Sequence, residues 1–210
     1  MLLDPGMAFG TGQHPTTRLC LELLEQAFEQ LGVQSSRFGV TGSRGSGQDA
    51  KSMNSELRTM NKGPMVLDLG TGSGVLAIAA LRSGAGTVLA LDTDAIACRA
   101  AAENAWRNGM GGRIVVGHGS LEAAGRRTFD LILANLTAAA LLGLAPRLAC
   151  SLRPGGRLIA SGVLADQEAL LTAALGRCGL VRERARRRRG WVGLVYRGPF
   201  GGPRGAQRCR

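Results

Sequence analysis

Two carboxylates, a run of glycines and one amide define the chemistry this chain can support. Asp68 lies near the end of Val66-Leu-Asp-Leu69, directly before Gly70-Thr-Gly-Ser-Gly74, and Asp92 closes the next apolar run, Leu89-Ala-Leu-Asp92. A glycine turn between strand and helix lets a ligand approach the backbone where the first helical amides have no intrahelical partner. A phosphate cradle would end in Gly-Lys-Ser/Thr, and no such triplet follows. A dinucleotide turn would place its third glycine where Val75 stands, whereas Gly74 comes one position early. The remaining pattern, an acid followed by Gly-x-Gly-x-Gly, fits S-adenosylmethionine, which has no pyrophosphate and carries a charged amino-acid end and a sulfonium. On that reading Gly70 and Gly72 form the floor and Asp68 helps bind the amino-acid end. Asp92, 24 residues beyond Asp68, accepts the ribose hydroxyls. The alternative is a plain tight turn. Asp94 is assigned only to capping the next helix.

The amide is Asn135, at the end of Phe129-Asp-Leu-Ile-Leu-Ala-Asn135. The carboxyl end of a central strand is where open α/β sheets do chemistry. There the side-chain oxygen can accept a hydrogen bond from an amine and point its lone pair at a methyl group. Transfer from a sulfonium needs little acid–base help, so holding an uncharged amine in place supplies much of the rate. Asn135 as the cap of a helix over 137–152 is the competing reading.

The elements that must position these groups alternate regularly. Apolar runs at 65–69, 87–91, 113–117, 129–134 and 157–162 are separated by helical stretches near 74–83, 94–108, 137–152 and 166–178. Runs apolar throughout suit strands covered on both faces, and the βαβα order predicts a mainly parallel sheet. Leu180 to Arg186 and Trp191 to Arg197, joined through Arg188-Arg189-Gly190, predict an antiparallel hairpin at its edge. Ahead of the core, Leu19, Leu23, Leu24, Ala27, Phe28 and Leu31 share one face of a helix that Thr16 or Thr17 can cap.

The expected organisation is an opening lid loop and first helix over 1–31, a flexible insertion over 32–63, a core over 64–198 and a basic disordered tail over 199–210. Phe9, in the first Gly-Thr-Gly loop, is expected to close over the bound ligand. His14 and His118 are read as loop and turn residues, Trp106 as packing, and Cys98 and Cys150 as core thiols.

Composition narrows the classes further. The 45% hydrophobic content holds no apolar run of the roughly 20 residues a membrane span needs. Five scattered cysteines without a Cys-x-x-Cys pair, and two histidines, argue against structural zinc and for a reducing compartment. Of the net charge of +11, nine charges come from residues 182–210, with ten arginines and one glutamate. Basicity therefore belongs to the C-terminal region, where Arg186 to Arg189 form either a solvated strand end or a contact for RNA.

The stretches AFGTGQHPTT, DLGTGSG, LALDTD, AAENAWRNG and ILANL together resemble the family that methylates large-subunit ribosomal protein eleven, over all but 32–63 and the last dozen residues. The opening motif is the most specific of these. The resemblance implies a class I methyltransferase fold, Rossmann-like with a seven-stranded, mainly parallel sheet. It also implies S-adenosylmethionine as cofactor, and lysine side-chain and N-terminal amines as acceptors. The family's cofactor contacts carry over onto Thr17, Gly70, Asp92 and Asn135. The family carries a substrate-recognition domain before the opening motif; with two residues ahead of Leu3, that domain is expected to be missing here and the chain to be the catalytic domain. Cytoplasmic localisation is expected, or an organelle stroma or matrix if the chain starts further upstream, with a monomer as the acting form. The alternatives are a lysine methyltransferase with another protein target, an inactive ribosome- or RNA-binding module of the same fold, and, last, a nicotinamide oxidoreductase.

Overall fold

The structure is a computed structural model that describes residues 14–30 and 63–199. The Phe9 loop, nearly all of the 32–63 insertion and the tail from residue 200 lie outside the described residues. Helix α1 is Pro15–Gln30. There follow β1 (Met65–Leu69), α2 (Val75–Arg82), β2 (Thr87–Asp92), α3 (Ala95–Arg107), β3 (Ile114–His118) and β4 (Phe129–Asn135). The chain continues through α4 (Ala138–Cys150), β5 (Leu152–Leu164), α5 (Glu168–Arg177), β6 (Val181–Arg188) and β7 (Trp191–Arg197).

Among the described residues the strands make one seven-stranded sheet in the order β3-β2-β1-β4-β5-β7-β6. Strands β1 to β5 pair in parallel, and β7 runs antiparallel to both β5 and β6. The predicted sheet with its terminal hairpin is therefore present. Because the strand order reverses between β1 and β4, connections leave these neighbours toward opposite faces and open a crevice at their carboxyl ends.

Each face of the sheet has its own core. Leu23, Leu24 and Phe28 of α1 and Leu76 and Ile78 of α2 pack with Val66, Leu131, Leu133 and Ile159 on one side. Leu141 and Leu148 of α4 and Leu171 and Leu175 of α5 pack with Leu67, Leu69, Ile132 and Leu158 on the other. Successive strand residues face opposite sides, so Asp68 shares the face of Val66, under α1 and α2, while Leu67 and Leu69 point away.

Three expectations are corrected. The helix predicted to reach 152 stops at Cys150, and β5 begins at Leu152, far before the expected 157. Leu152 pairs with Phe129 ahead of a bulge, so the strand carries through Pro154-Gly155-Gly156, residues that in isolation signal a turn. Trp106 does not pack: it is 77% exposed. Cys150 is half-buried at the end of α4, and Cys20, Cys98 and Cys178 are free thiols.

Candidate functional site

The glycine turn after β1 takes its shape from backbone that only glycine adopts readily. Gly70, Gly72 and Gly74 have φ of 74°, 54° and 79°. A Cβ on Gly70 would also meet Leu136 Cδ2 at 2.5 Å. Helix α3 closes on the turn, with Asn104 Nδ2 donating to Ser73 O at 2.9 Å.

The turn's own amides are largely committed inside the protein. Gly70 N and Thr71 N donate to Leu91 O at 2.8 and 3.0 Å, and Gly74 N donates to Thr71 O at 2.9 Å. Gly72 N donates to Asp92 Oδ2 at 2.9 Å. A phosphate cradle works by aiming such amides at its ligand. This turn instead offers a smooth floor and a carboxylate, which suits a nucleoside bearing a cationic centre better than a pyrophosphate.

Asp92 ends β2 half-buried, and its other oxygen accepts from Asp94 N at 3.0 Å. Two donors fix the carboxylate while each oxygen keeps a lone pair for the cleft it lines. Asp94 caps α3 as expected, its Oδ1 accepting from Ile96 N at 2.8 Å.

Across the crevice, Asn135 ends β4, and its Nδ2 lies 3.5 Å from Thr17 Oγ1. With the amide's donor end turned to Thr17, its carbonyl oxygen is the end left for a ligand. The cap of α4 is Thr137, whose Oγ1 accepts from Ala140 N at 3.3 Å, so the capping alternative for Asn135 fails. Neither threonine of α1 caps that helix, because both lie inside its first turn. His14 stands before the helix instead, with Nδ1 2.8 Å from Thr16 Oγ1. Its ring meets Trp191 edge to face, centroids 5.3 Å apart.

Thr17, Gly70, Gly72, Asp92 and Asn135 thus line one cleft of about 520 Å³, together with His14 and Trp191. Trp191 was missed by the sequence reading; it reaches the cleft because the hairpin register sets it opposite Leu164 at the carboxyl end of β5. His118 does not line the cleft; its Nε2 lies 3.0 Å from Thr93 O, tying together the ends of two strands.

Asp68 departs from expectation. It is fully buried beneath the turn and does not line the cleft. Its Oδ2 accepts from Thr71 Oγ1 at 2.7 Å and from Ala77 N at 3.0 Å, bracing the turn and satisfying a first-turn amide of α2. Its Oδ1 has no hydrogen-bond partner among the described residues.

Burial is the largest influence on this carboxyl and pushes its pKa from 3.8 up to about 6. A raised pKa means the folded chain holds the proton more tightly than the unfolded chain. Asp68 thus lowers stability progressively as pH climbs from 3.8 to about 6, with no further change above. In urea unfolding across that window, the parent is expected to lose on the order of 3 kcal/mol relative to Asp68→Asn. Parallel pH profiles for the two proteins would refute this assignment.

Comparison with known proteins places this geometry. The family model for ribosomal protein L11 methyltransferase matches residues 1–198. The chain is 43% identical to the ribosomal protein L11 methyltransferase of Chloroflexus aurantiacus, over 95% of this chain and 58% of that protein. Against the Pelobacter propionicus protein of the same name it is 44% identical, over 93% of this chain and 54% of that protein. The chain therefore spans little more than half the length of these curated relatives. The crystal structure of ribosomal protein L11 methylase from Lactobacillus delbrueckii subsp. bulgaricus superposes with a TM-score of 0.70 at 35% identity, covering 93% of this chain and 84% of that one. The fold is that of the class I methyltransferases.

Proposed function

The chain belongs to the ribosomal protein L11 methyltransferase family, and we propose that its cleft transfers a methyl group from S-adenosylmethionine to amines of a ribosomal protein, L11 foremost. The observation that carries this reading is the convergence of the committed glycine turn, Asp92 and the Thr17–Asn135 pair on one cleft. Bound there, S-adenosylmethionine supplies an electrophilic methyl group on a sulfonium.

The protein's part is positioning. Asp92 accepts the ribose hydroxyls, Gly70 and Gly72 let the ligand lie against the backbone, and Asn135 accepts a hydrogen bond from the incoming amine. Thr17 holds Asn135 in that orientation. Leu136, Leu144 and Trp191 line the same cleft, and these apolar walls disfavour the ammonium form and so help present a neutral amine. Lysine side chains and an N-terminal amine are the proposed acceptors. The division into lid, insertion, core and tail, closure by Phe9, action as a monomer and a cytoplasmic, stromal or matrix location belong to the same proposal. So does RNA contact through the arginine-rich hairpin, developed below.

The test is incorporation of labelled methyl groups into isolated L11, alongside calorimetry with S-adenosylmethionine and with a reduced nicotinamide. Binding of the nicotinamide alone would overturn the reading. For Asn135→Ala, turnover is expected to fall about tenfold, the worth of one hydrogen bond made to the reacting amine. Thr17→Val should act in the same direction and less strongly, since Thr17 works through Asn135. Unchanged turnover in Asn135→Ala would remove the residue from this role.

A further inference from the structure

We propose that the β6–β7 hairpin and the first turn of α1 form a phosphate-binding rim that holds the backbone of RNA beside the cleft. The hairpin, residues 181–197, carries seven arginines and one acid, Glu183. Its ion pairs fix these side chains without neutralising them. Glu22 on α1 takes both Arg186 and Arg188, at 3.5 and 2.7 Å. On the opposite face of the sheet, away from the rim, Glu168 of α5 takes both Arg182 and Arg187, at 2.6 and 2.5 Å. Two guanidiniums on one carboxylate leave the Glu22 cluster a net positive charge, already held in place.

Arg184, Arg186 and Arg188 reach toward α1 from alternate positions of the edge strand, contacting Gln26 and Glu22. The row therefore repeats at about 6.8 Å. It ends at a cavity of about 250 Å³ lined by Pro15, Arg18, Arg188 and Arg189. Arg18 and Arg189 are exposed, and neither makes an ion pair among the described residues. The cavity adjoins the cleft through both elements that form it. Pro15 lies between His14 and Thr16, and Arg189 precedes Trp191 by two residues; His14, Thr16 and Trp191 all line the cleft.

The turn adds a further observation. Arg189 and Gly190 have φ of 49° and 81°, and Arg189 is the one non-glycine residue with positive φ among those described. A two-residue hairpin turn of this kind favours Asn, Asp or Gly at its first position. An arginine there costs conformational strain and contributes charge at the rim.

The chemistry favours RNA over an acidic protein segment. The one large apolar side chain exposed on the hairpin is Val181, at the end of β6 far from the Arg189 turn, so the rim itself has no apolar anchor for a protein interface. Phosphate backbone needs only spaced charge, and guanidinium groups match phosphate in two-pronged contacts. The inference rests on transfer to a ribosomal protein only for bringing RNA within reach of the substrate.

The full chain is titrated against a fluorescently labelled hairpin RNA by anisotropy at stepped KCl, with S-adenosylmethionine binding measured on the same samples. RNA binding should weaken steeply with salt. Arg189→Asn suits the turn better than the parent residue, so the fold is kept. It should weaken RNA binding several-fold and reduce the logarithmic salt slope by about 0.7–0.9. Combined with Arg18→Gln and Arg188→Gln, the reduction should reach about 2–3. Variants that bind RNA like the parent would overturn the proposal, as would no RNA binding at low salt. Displacement of the RNA by polyglutamate at equal charge concentration would assign the rim to an acidic protein instead. Arginine-dependent RNA binding without S-adenosylmethionine binding would uphold the rim and refute the transfer reading.

Discussion

Asp92→Ala is expected to weaken S-adenosylmethionine binding by about two to three orders of magnitude while leaving the sheet folded. The carboxylate is positioned before any ligand arrives, by Gly72 N at 2.9 Å and Asp94 N at 3.0 Å, so none of its hydrogen bonding to a ribose is lost to ordering the side chain. A hydrogen bond to a charged group contributes about 1.5–3 kcal/mol. Two such bonds to the ribose hydroxyls, partly replaced by water in the variant, account for about 3–4 kcal/mol, or roughly a hundred- to thousandfold in Kd. Asp92→Asn should fall between, since its amide nitrogen must face one of the two backbone N–H donors and lose that bond. Calorimetry gives the affinities, and far-ultraviolet circular dichroism checks that the fold is kept. An alanine variant that binds like the parent would remove Asp92 from the site.

Asp92 was legible in the sequence because every determinant of its position is local. An apolar run ends on an acid, a capped helix follows, and the glycine turn lies a fixed distance upstream. The same holds for Gly70, Gly72 and Asn135, each at the carboxyl end of a strand or just beyond one, and for the strands themselves. Asp68 was misassigned because spacing was weighed without strand alternation. Residues two apart share a face, so Asp68 follows Val66 under the helices and becomes a brace for the turn.

The remaining misses come from long-range pairing. Trp191 gains its place through a register with Leu164 that no local pattern announces. Strand β5 runs through Pro154-Gly155-Gly156 because its partner strand and a bulge sustain it against the local turn signal. Trp106 has helical spacing consistent with packing, yet α3 turns that position to solvent. Thr17 could cap its helix on the sequence pattern, and the family resemblance separately implied a cofactor contact; the fold sets it in the lining of the cleft. Its hydroxyl is held near Asn135, 118 residues away, and does not cap its own helix.

Gly162→Ala is expected to cost about 2–5 kcal/mol of stability and to abolish most transfer, although the sequence gives this glycine no prominence. It sits in the irregular stretch of β5 between Ala160 and Val163, with φ of 83°. An added Cβ would press on the carbonyl oxygen of Leu136 and lie 2.8 Å from its carbonyl carbon and 3.1 Å from its nitrogen. Backbone cannot rotate away as a side chain can, and Leu136 is tied to β5 by its N–H to Ser161 O at 3.0 Å. The left-handed conformation alone costs a non-glycine residue about 1–2 kcal/mol, and overpacking adds about 1–3. Relief has to come from displacing residues 135–137, which carries Asn135 away from Thr17 and the acceptor. Gly179→Ala separates the two contributions. Gly179 has φ of 86° and nothing within 4 Å of an added Cβ, so it should lose only the conformational part and keep full turnover. Urea unfolding and methyl transfer on both variants decide the matter; equal losses would show that the crossing of Leu136 over Gly162 has no part in holding Asn135.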